Sequence, residues 1–256
     1  MFDVGAVKYS FGRRAAQYED NAYLQRQVRG RCVALAKHYF PGDARVLDAG
    51  CGTGALCADA ELLNVGWDIS GLDIAFGMCR QAGRQGRAAV NADVACMPFA
   101  HAQFGGVFSS LMLQWVNDMP AAWAEMARVL KPNGHAVLAT LAGGTLAELR
   151  DAFAALDDKT HVSDFPPPHS LLEMADLAGF ELVLARQDAV VEQHADSVAL
   201  MRSLQVIGAS NKHHNRPRGL MTPSQFARLE QAYRKNADGT LPATWQVLYL
   251  VLRKRA

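Results

Sequence analysis

Apolar positions change period along this chain. From Arg45 onward, RVLDA, DISGLDIA, AAVNAD, GGVFSSLML and HAVLATL are short apolar runs of strand type. The stretches GALCADAELLN, MCRQAGRQG, AAWAEMARVL and LAELRDAFAAL carry the three-to-four spacing of helices and alternate with them. After FPPPHS, a helix around Leu171 to Ala178 leads to a sixth strand, FELVLARQDAV, and WQVLYLVLRK reads as the seventh. Alternation of this kind predicts an α/β fold, a doubly wound and mostly parallel sheet. Residues 1–42 precede the sheet and carry one or two helices, with the pattern FGRRAAQYEDNAYLQRQVRGRCVALAKHYF stopped by Pro41 and Gly42. Residues 43–142 form the expected binding core. Residues 190–240 are an insertion before the last strand, with two helical patterns, DSVALMRSLQVIGAS and TPSQFARLEQAYRKN, joined by the basic NKHHNRPRG. A connection of that length in a compact fold is expected to form a lid or a binding surface.

Composition narrows the partners. The chain has 256 residues, 50% of them hydrophobic and 20% charged, which suits a single enlarged domain. A net charge of +1 gives no global basic field, so nucleic acid is not an expected partner and an anionic one must meet a local patch. The five cysteines include no C-x-x-C pair and no zinc spacing, so they are expected as reduced, small core residues. MFDVGAVKYSFGRR has no run of signal-peptide length, and nothing downstream approaches the roughly 20 apolar residues that span a bilayer. The expectation is a cytoplasmic protein without a membrane partner.

The chemistry concentrates at strand ends. VLDAGCGTG places Gly50, Gly52 and Gly54 after a strand and before a helix, where backbone can approach a ligand. The spacing lacks the G-K-[ST] of a phosphate loop and the G-x-G-x-x-G of dinucleotide binding, and the carboxylate of Asp48 would repel pyrophosphate. A cationic ligand suits it better, and S-adenosylmethionine carries an ammonium and a sulfonium but no phosphate. Asp73, ending the second strand, can accept from both ribose hydroxyls, each charge-assisted bond worth roughly 1.5–3 kcal/mol. Asp93, ending the third, can face an adenine amino group while Val94 offers backbone. SSLMLQWVND supplies the fourth strand end, expected to floor the pocket. The predicted cofactor contacts are Asp48, Gly50, Cys51, Gly52, Asp73, Ile74, Asp93, Val94 and Leu111.

Together VLDAGCGTG, GLDIA, NADVACMPF and VLKPNG resemble the class I S-adenosylmethionine-dependent methyltransferases over roughly Arg45 to Leu141. The resemblance implies a Rossmann-like sheet of seven strands with an antiparallel last strand. A narrower match, through FGRRAAQY, LMLQW, TLAGGTLAEL, MRSLQVIGAS and LMTPSQ, covers nearly the whole chain and is similar to the malonyl-acyl-carrier-protein O-methyltransferases of biotin synthesis. LPATW and the longer, basic NKHHNRPR depart from that pattern. The resemblance implies methylation of the free carboxylate of a malonyl thioester, on carrier protein or coenzyme A. That carboxylate is ionised at neutral pH, so no general base is required. Alignment and exclusion of water must do the work.

A cation for the carboxylate and a closing lid are then expected. Arg202 in the insertion is the first candidate for the cation, because guanidinium grips carboxylate through two parallel bonds. Arg13 or Arg14 comes next. Tyr18 is expected to close over the cofactor, and Gln114 and Trp115 to line the substrate pocket. Lys212, Arg216 and Arg218, with His213 and His214, are expected to face the acidic carrier protein or the pantetheine phosphate. Two other readings stay open at this point. One is a carbon or oxygen methyltransferase for another small molecule, such as a quinone precursor; the other is a non-catalytic protein that binds the nucleoside cofactor.

Overall fold

The computed structural model describes residues 3–14, 22–206 and 221–256. Two helices, α1 (Val4–Arg14) and α2 (Tyr23–Tyr39), precede β1 (Arg45–Ala49). There follow α3 (Ala55–Leu62), β2 (Asp68–Asp73), α4 (Phe76–Arg84), β3 (Ala89–Asn91) and β4 (Phe104–Ser110). A single 3-10 turn, Leu113–Trp115, leads into α5 (Met119–Val129), β5 (Leu130–Leu141), α6 (Ala147–Ala154) and α7 (Pro168–Leu177). The chain then runs through β6 (Phe180–His194), α8 (Ser197–Val206), α9 (Pro223–Ala232) and β7 (Leu241–Lys254).

The strands form one seven-stranded sheet in the order β3-β2-β1-β4-β5-β7-β6. Pairing is parallel from β3 through β5, whereas β7 lies antiparallel between β5 and β6. The expected doubly wound sheet with an antiparallel last strand is therefore present. Strand order reverses between β1 and β4, and a crevice opens at such a switch point beyond the carboxyl ends of the strands. Because β6 runs in the direction of β5, it ends at that same edge and β7 begins there. Topology alone thus puts α8 and α9 at the ligand end of the sheet.

Each face of the sheet is covered by apolar helix stripes, as strands buried on both sides require. One side packs Val28, Cys32 and Val33 of α2, with Phe153, Leu200 and Leu229 of α6, α8 and α9, against residues such as Val137 and Trp245. The other packs Trp123 and Met126 of α5 with Leu171 of α7; the Trp123 and Phe180 rings meet edge to face at 6.0 Å. Helix starts follow the sequence. Asp118 caps α5 by accepting from the Ala121 amide at 3.1 Å, and Thr222 and Gln225 form a reciprocal capping box at α9.

Boundaries moved where local backbone overrode the apolar pattern. GGVFSSLML stops being a strand at Ser110, because Leu111 turns to a φ of 54° and starts the 3-10 turn. β6 runs on to His194 and β7 starts at Leu241, because His194 pairs with Leu241; the insertion between strands is therefore 195–240 rather than 190–240. The N-terminal pattern begins at Val4 rather than Phe11, since Val4, Val7 and Phe11 already mark one helix face. Among the cysteines, Cys32, Cys51 and Cys79 are buried, Cys57 is half-buried and Cys96 is exposed, so two of the five are not core residues; all are unpaired. No described helix is long and apolar enough to cross a membrane.

Candidate active site

The glycine loop is built by its backbone. Gly50, Gly52 and Gly54 take φ values of 83°, 54° and 83°, in the region that favours a residue without Cβ. A Cβ on Gly50 would lie 2.4 Å from Cγ of Met112, whereas one on Gly52 would meet nothing within 4 Å. The loop is thus packed on one side and open on the other. The amides of Gly50 and Cys51 both donate to the Leu72 carbonyl, at 2.7 and 3.0 Å, which ties the loop to the end of β2.

Asp73 completes that tie. Its Oδ2 accepts from the Gly52 amide at 2.9 Å and its Oδ1 from the Ala75 amide at 2.8 Å. Each oxygen keeps a second acceptor direction, so a pair of vicinal hydroxyls can still be received. Burial raises the Asp73 carboxyl above its ordinary range, against the lowering effect of these two amides.

A cleft of about 150 Å³ lies over Asp73. Its walls are Gly50 of the loop, Asp73 and Ile74 after β2, Asp93 and Val94 after β3, and Met112, Trp115 and Asn117 after β4. Val4 and Val7 of α1 close it from the N-terminal side, and Phe11 of the same helix meets Trp115 edge to face at 5.6 Å. Asp93 is exposed, with Oδ1 receiving the Ala95 amide at 2.9 Å, while Val94 is buried. A carboxylate with spare acceptor directions, apolar walls at Ile74 and Val94, and open space above Gly52 fit a nucleoside carrying a charged tail.

Asp48 sits below this cleft. It is 4% exposed, and burial pushes its carboxyl up to about 7, with the Arg29 guanidinium opposing the shift and the Asp73 and Asp59 carboxylates adding to it. Arg29 Nε donates to Asp59 Oδ2 at 2.6 Å. A cationic ligand brought to the loop would favour the ionised form of Asp48.

Known proteins show the family. A methyltransferase-domain family model matches residues 47–138. A malonyl-[acyl-carrier protein] O-methyltransferase from Laribacter hongkongensis is 39% identical over 96% of this chain and 88% of its own length. The chain belongs to that family. A Serratia marcescens protein of the same name is 36% identical, covering 96% of this chain and 94% of its own. Among solved structures, geranyl diphosphate C-methyltransferase from Streptomyces coelicolor, in complex with Mg²⁺, geranyl diphosphate and S-adenosyl-L-homocysteine, superposes with a TM-score of 0.54 at 16% identity. That superposition covers 89% of this chain and 79% of the other, and shows a shared fold. The protein is an S-adenosylmethionine-dependent methyltransferase.

Within this member of the family, six of the expected residues meet at the cleft: Gly50, Asp73, Ile74, Asp93, Val94 and Trp115. Five others lie around it without lining it. Gly52 faces Asp73 through its amide, Asp48 is buried beneath, and Cys51 packs its thiol inward, burial keeping it protonated. Leu111 is core. Gln114 is buried with both polar atoms engaged, its Nε2 donating to the Leu111 carbonyl at 2.7 Å and its Oε1 accepting from Thr140 at 3.2 Å. Arg202 lies exposed on α8. Tyr18, Lys212, His213, His214, Arg216 and Arg218 lie outside the described residues. Met112 and Asn117 belong to SSLMLQWVND, expected as the pocket floor, whereas sequence reasoning missed Val4 and Val7 of α1. Val4 and Val7 carried a signal in their helical spacing, while the Met112 contact depends on the turn that Leu111 makes.

Proposed function

We propose that this protein methylates the free carboxylate of a malonyl thioester borne by an acyl-carrier protein, giving the malonyl methyl ester that opens pimeloyl synthesis for biotin. One observation carries the substrate: similarity to the malonyl-[acyl-carrier protein] O-methyltransferases spans 96% of the chain, well outside the 47–138 core common to methyltransferases. The matched length includes α8, whose MRSLQV has no part in the core of the cofactor cleft.

The chemistry suits the residues present. When bound, S-adenosylmethionine supplies a methyl group on a sulfonium. Asp73 would receive the ribose hydroxyls, Ile74 and Val94 would flank the adenine, and the backbone at Gly50 and Gly52 would approach the methionine portion. A malonyl carboxylate is already ionised at neutral pH, so the protein needs to hold it, strip its water and aim one oxygen. Orientation of this kind can supply roughly 7–11 kcal/mol of the barrier. Arg202 is proposed as the residue that grips the carboxylate when 195–240 closes over the edge of the sheet. Tyr18 is proposed to close from the N-terminal side.

The decisive experiment offers cofactor labelled on the methyl group with malonyl-carrier protein, malonyl-coenzyme A, or a quinol. Label in an ester of either malonyl thioester is the expected result. Label in the quinol alone would move the enzyme to the second reading, and label nowhere, with cofactor bound, to a non-catalytic binding protein.

A further inference from the structure

α1 and α4 pack together at the rim of the cofactor cleft, and their backbones nearly touch. A Cβ on Gly77 would lie 2.5 Å from the Gly12 carbonyl oxygen. Their sequences, VGAVKYSFGRR and FGMCRQAGR, contain Lys8, Arg13, Arg14, Arg80 and Arg84 and no acid. Five cations without a carboxylate stand out in a chain whose net charge is only +1. Lys8, Arg80 and Arg84 are exposed, and among the described residues none is paired with a carboxylate. Phe76, Arg80 and Arg84 follow one another at four-residue steps, so they form a single stripe of α4. Two aromatic side chains lie open in the same region, Phe76 at 65% and Tyr9 at 64% exposure.

With about two-thirds of their surface exposed, these rings leave apolar surface in water beside the exposed Lys8, Arg80 and Arg84. That combination is the usual make-up of a protein-binding patch, in which aromatic side chains anchor and charges steer. The inner side of α1 lines the cleft through Val4 and Val7, so whatever docks outside stands next to the reacting centre.

We infer that the α1–α4 seam is the docking surface for the acidic body of the carrier protein, with Arg80 and Arg84 meeting its carboxylates and Phe76 and Tyr9 packing against it. This rests on the malonyl-carrier reading and adds where the partner sits. A carrier held there presents its malonyl arm at the cleft mouth, while the charges act on encounter and not on the methyl transfer itself.

The test is the doubly reversed variant R80E/R84E in the whole protein, assayed on malonyl-carrier protein and on malonyl-pantetheine, which lacks the protein body. Its KM for malonyl-carrier protein should rise about tenfold or more, with kcat, the KM for S-adenosylmethionine and rates on malonyl-pantetheine within about twofold of the parent. The parent's own KM should rise with salt, and the variant's should be nearly flat. Unchanged carrier KM overturns the proposal, as does an equal loss on malonyl-pantetheine, which would place the arginines on the arm. Binding of the parent to phosphatidylglycerol vesicles, lost in the variant while carrier KM stays put, would assign the seam to a lipid surface instead. A parent that methylates neither substrate would refute the malonyl reading itself, a separate outcome.

Discussion

Asp73 and Asp48 lie at the ends of neighbouring strands, and burial raises both carboxyls, opposed by two amides at Asp73 and by the Arg29 guanidinium at Asp48. Asp73 already accepts two amides and has directions left for ribose, so Asp73→Ala should weaken S-adenosylmethionine binding by about tenfold or more. Titration calorimetry reads this directly, and unchanged affinity would take the residue out of the site. Asp48 has a raised carboxyl pKa, about 7 against an ordinary 3.8, so folding favours its neutral form. Its contribution to stability is complete at pH below about 4 and is lost as pH climbs through 7, a swing of order 4 kcal/mol. Asp48→Asn should therefore melt higher than the parent at pH 8 without cofactor, yet bind the cationic cofactor more weakly. A variant that melts lower at pH 8 would mean the carboxylate is stabilised by the fold. For Arg202, alanine should leave cofactor affinity intact and cut turnover on malonyl thioesters several hundredfold, about 3.5 kcal/mol. Lysine should restore only part of this, since it keeps the charge and loses the two-pronged alignment. Full activity in the alanine variant would leave the carboxylate to another cation.

At the scale of elements, the seam between α1 and α4 offers the cleanest contrast. A methyl group on Gly77 meets backbone of Gly12 that cannot swing aside, so Gly77→Ala must push α1 away and carry Val4 and Val7 with it. Cofactor affinity should drop severalfold, roughly 1 kcal/mol. Gly83 lies on the same helix with nothing within 4 Å, and Gly83→Ala should leave affinity alone and add about 0.5–1 kcal/mol of stability. Equal behaviour of the two in calorimetry and thermal melts would dissociate α1 from cofactor binding. The strands and most helices were legible because each buries a stripe whose period is written in its own residues. The loop glycines, Asp73 and Asp93 were legible because strand ends in this kind of sheet converge on one crevice. The Met112 contact and the inward turn of Gln114 were not, since they follow from the positive φ of Leu111, which no local pattern marks. The roofing role of α1 was hidden for a different reason: Gly12 and Gly77 are 65 positions apart and meet only in three dimensions.

For the whole molecule, the seventh strand holds two halves together. Trp245 is buried to 1% exposure, and its indole N–H donates to Glu192 across the β6–β7 ladder at 2.9 Å. Trp245→Ala should cost about 3–5 kcal/mol in urea unfolding, whereas Trp245→Phe should lose about 1–3 kcal/mol, chiefly the stranded Glu192 carboxylate. A loss under 1 kcal/mol in the alanine variant would mean the hairpin core repacks freely. The position of β7 also dictates an order of events during synthesis. It fills the gap between β5 and β6, yet it is the last of this sheet's strands to be made. Until then β5 has an open edge and β6 has no neighbour, although the cofactor half, β3-β2-β1-β4-β5, is already complete in sequence. The nascent chain therefore carries a half-sheet with a bare flank through the whole time taken to make 195–240, an interval in which β5 is open to pairing with the wrong partner.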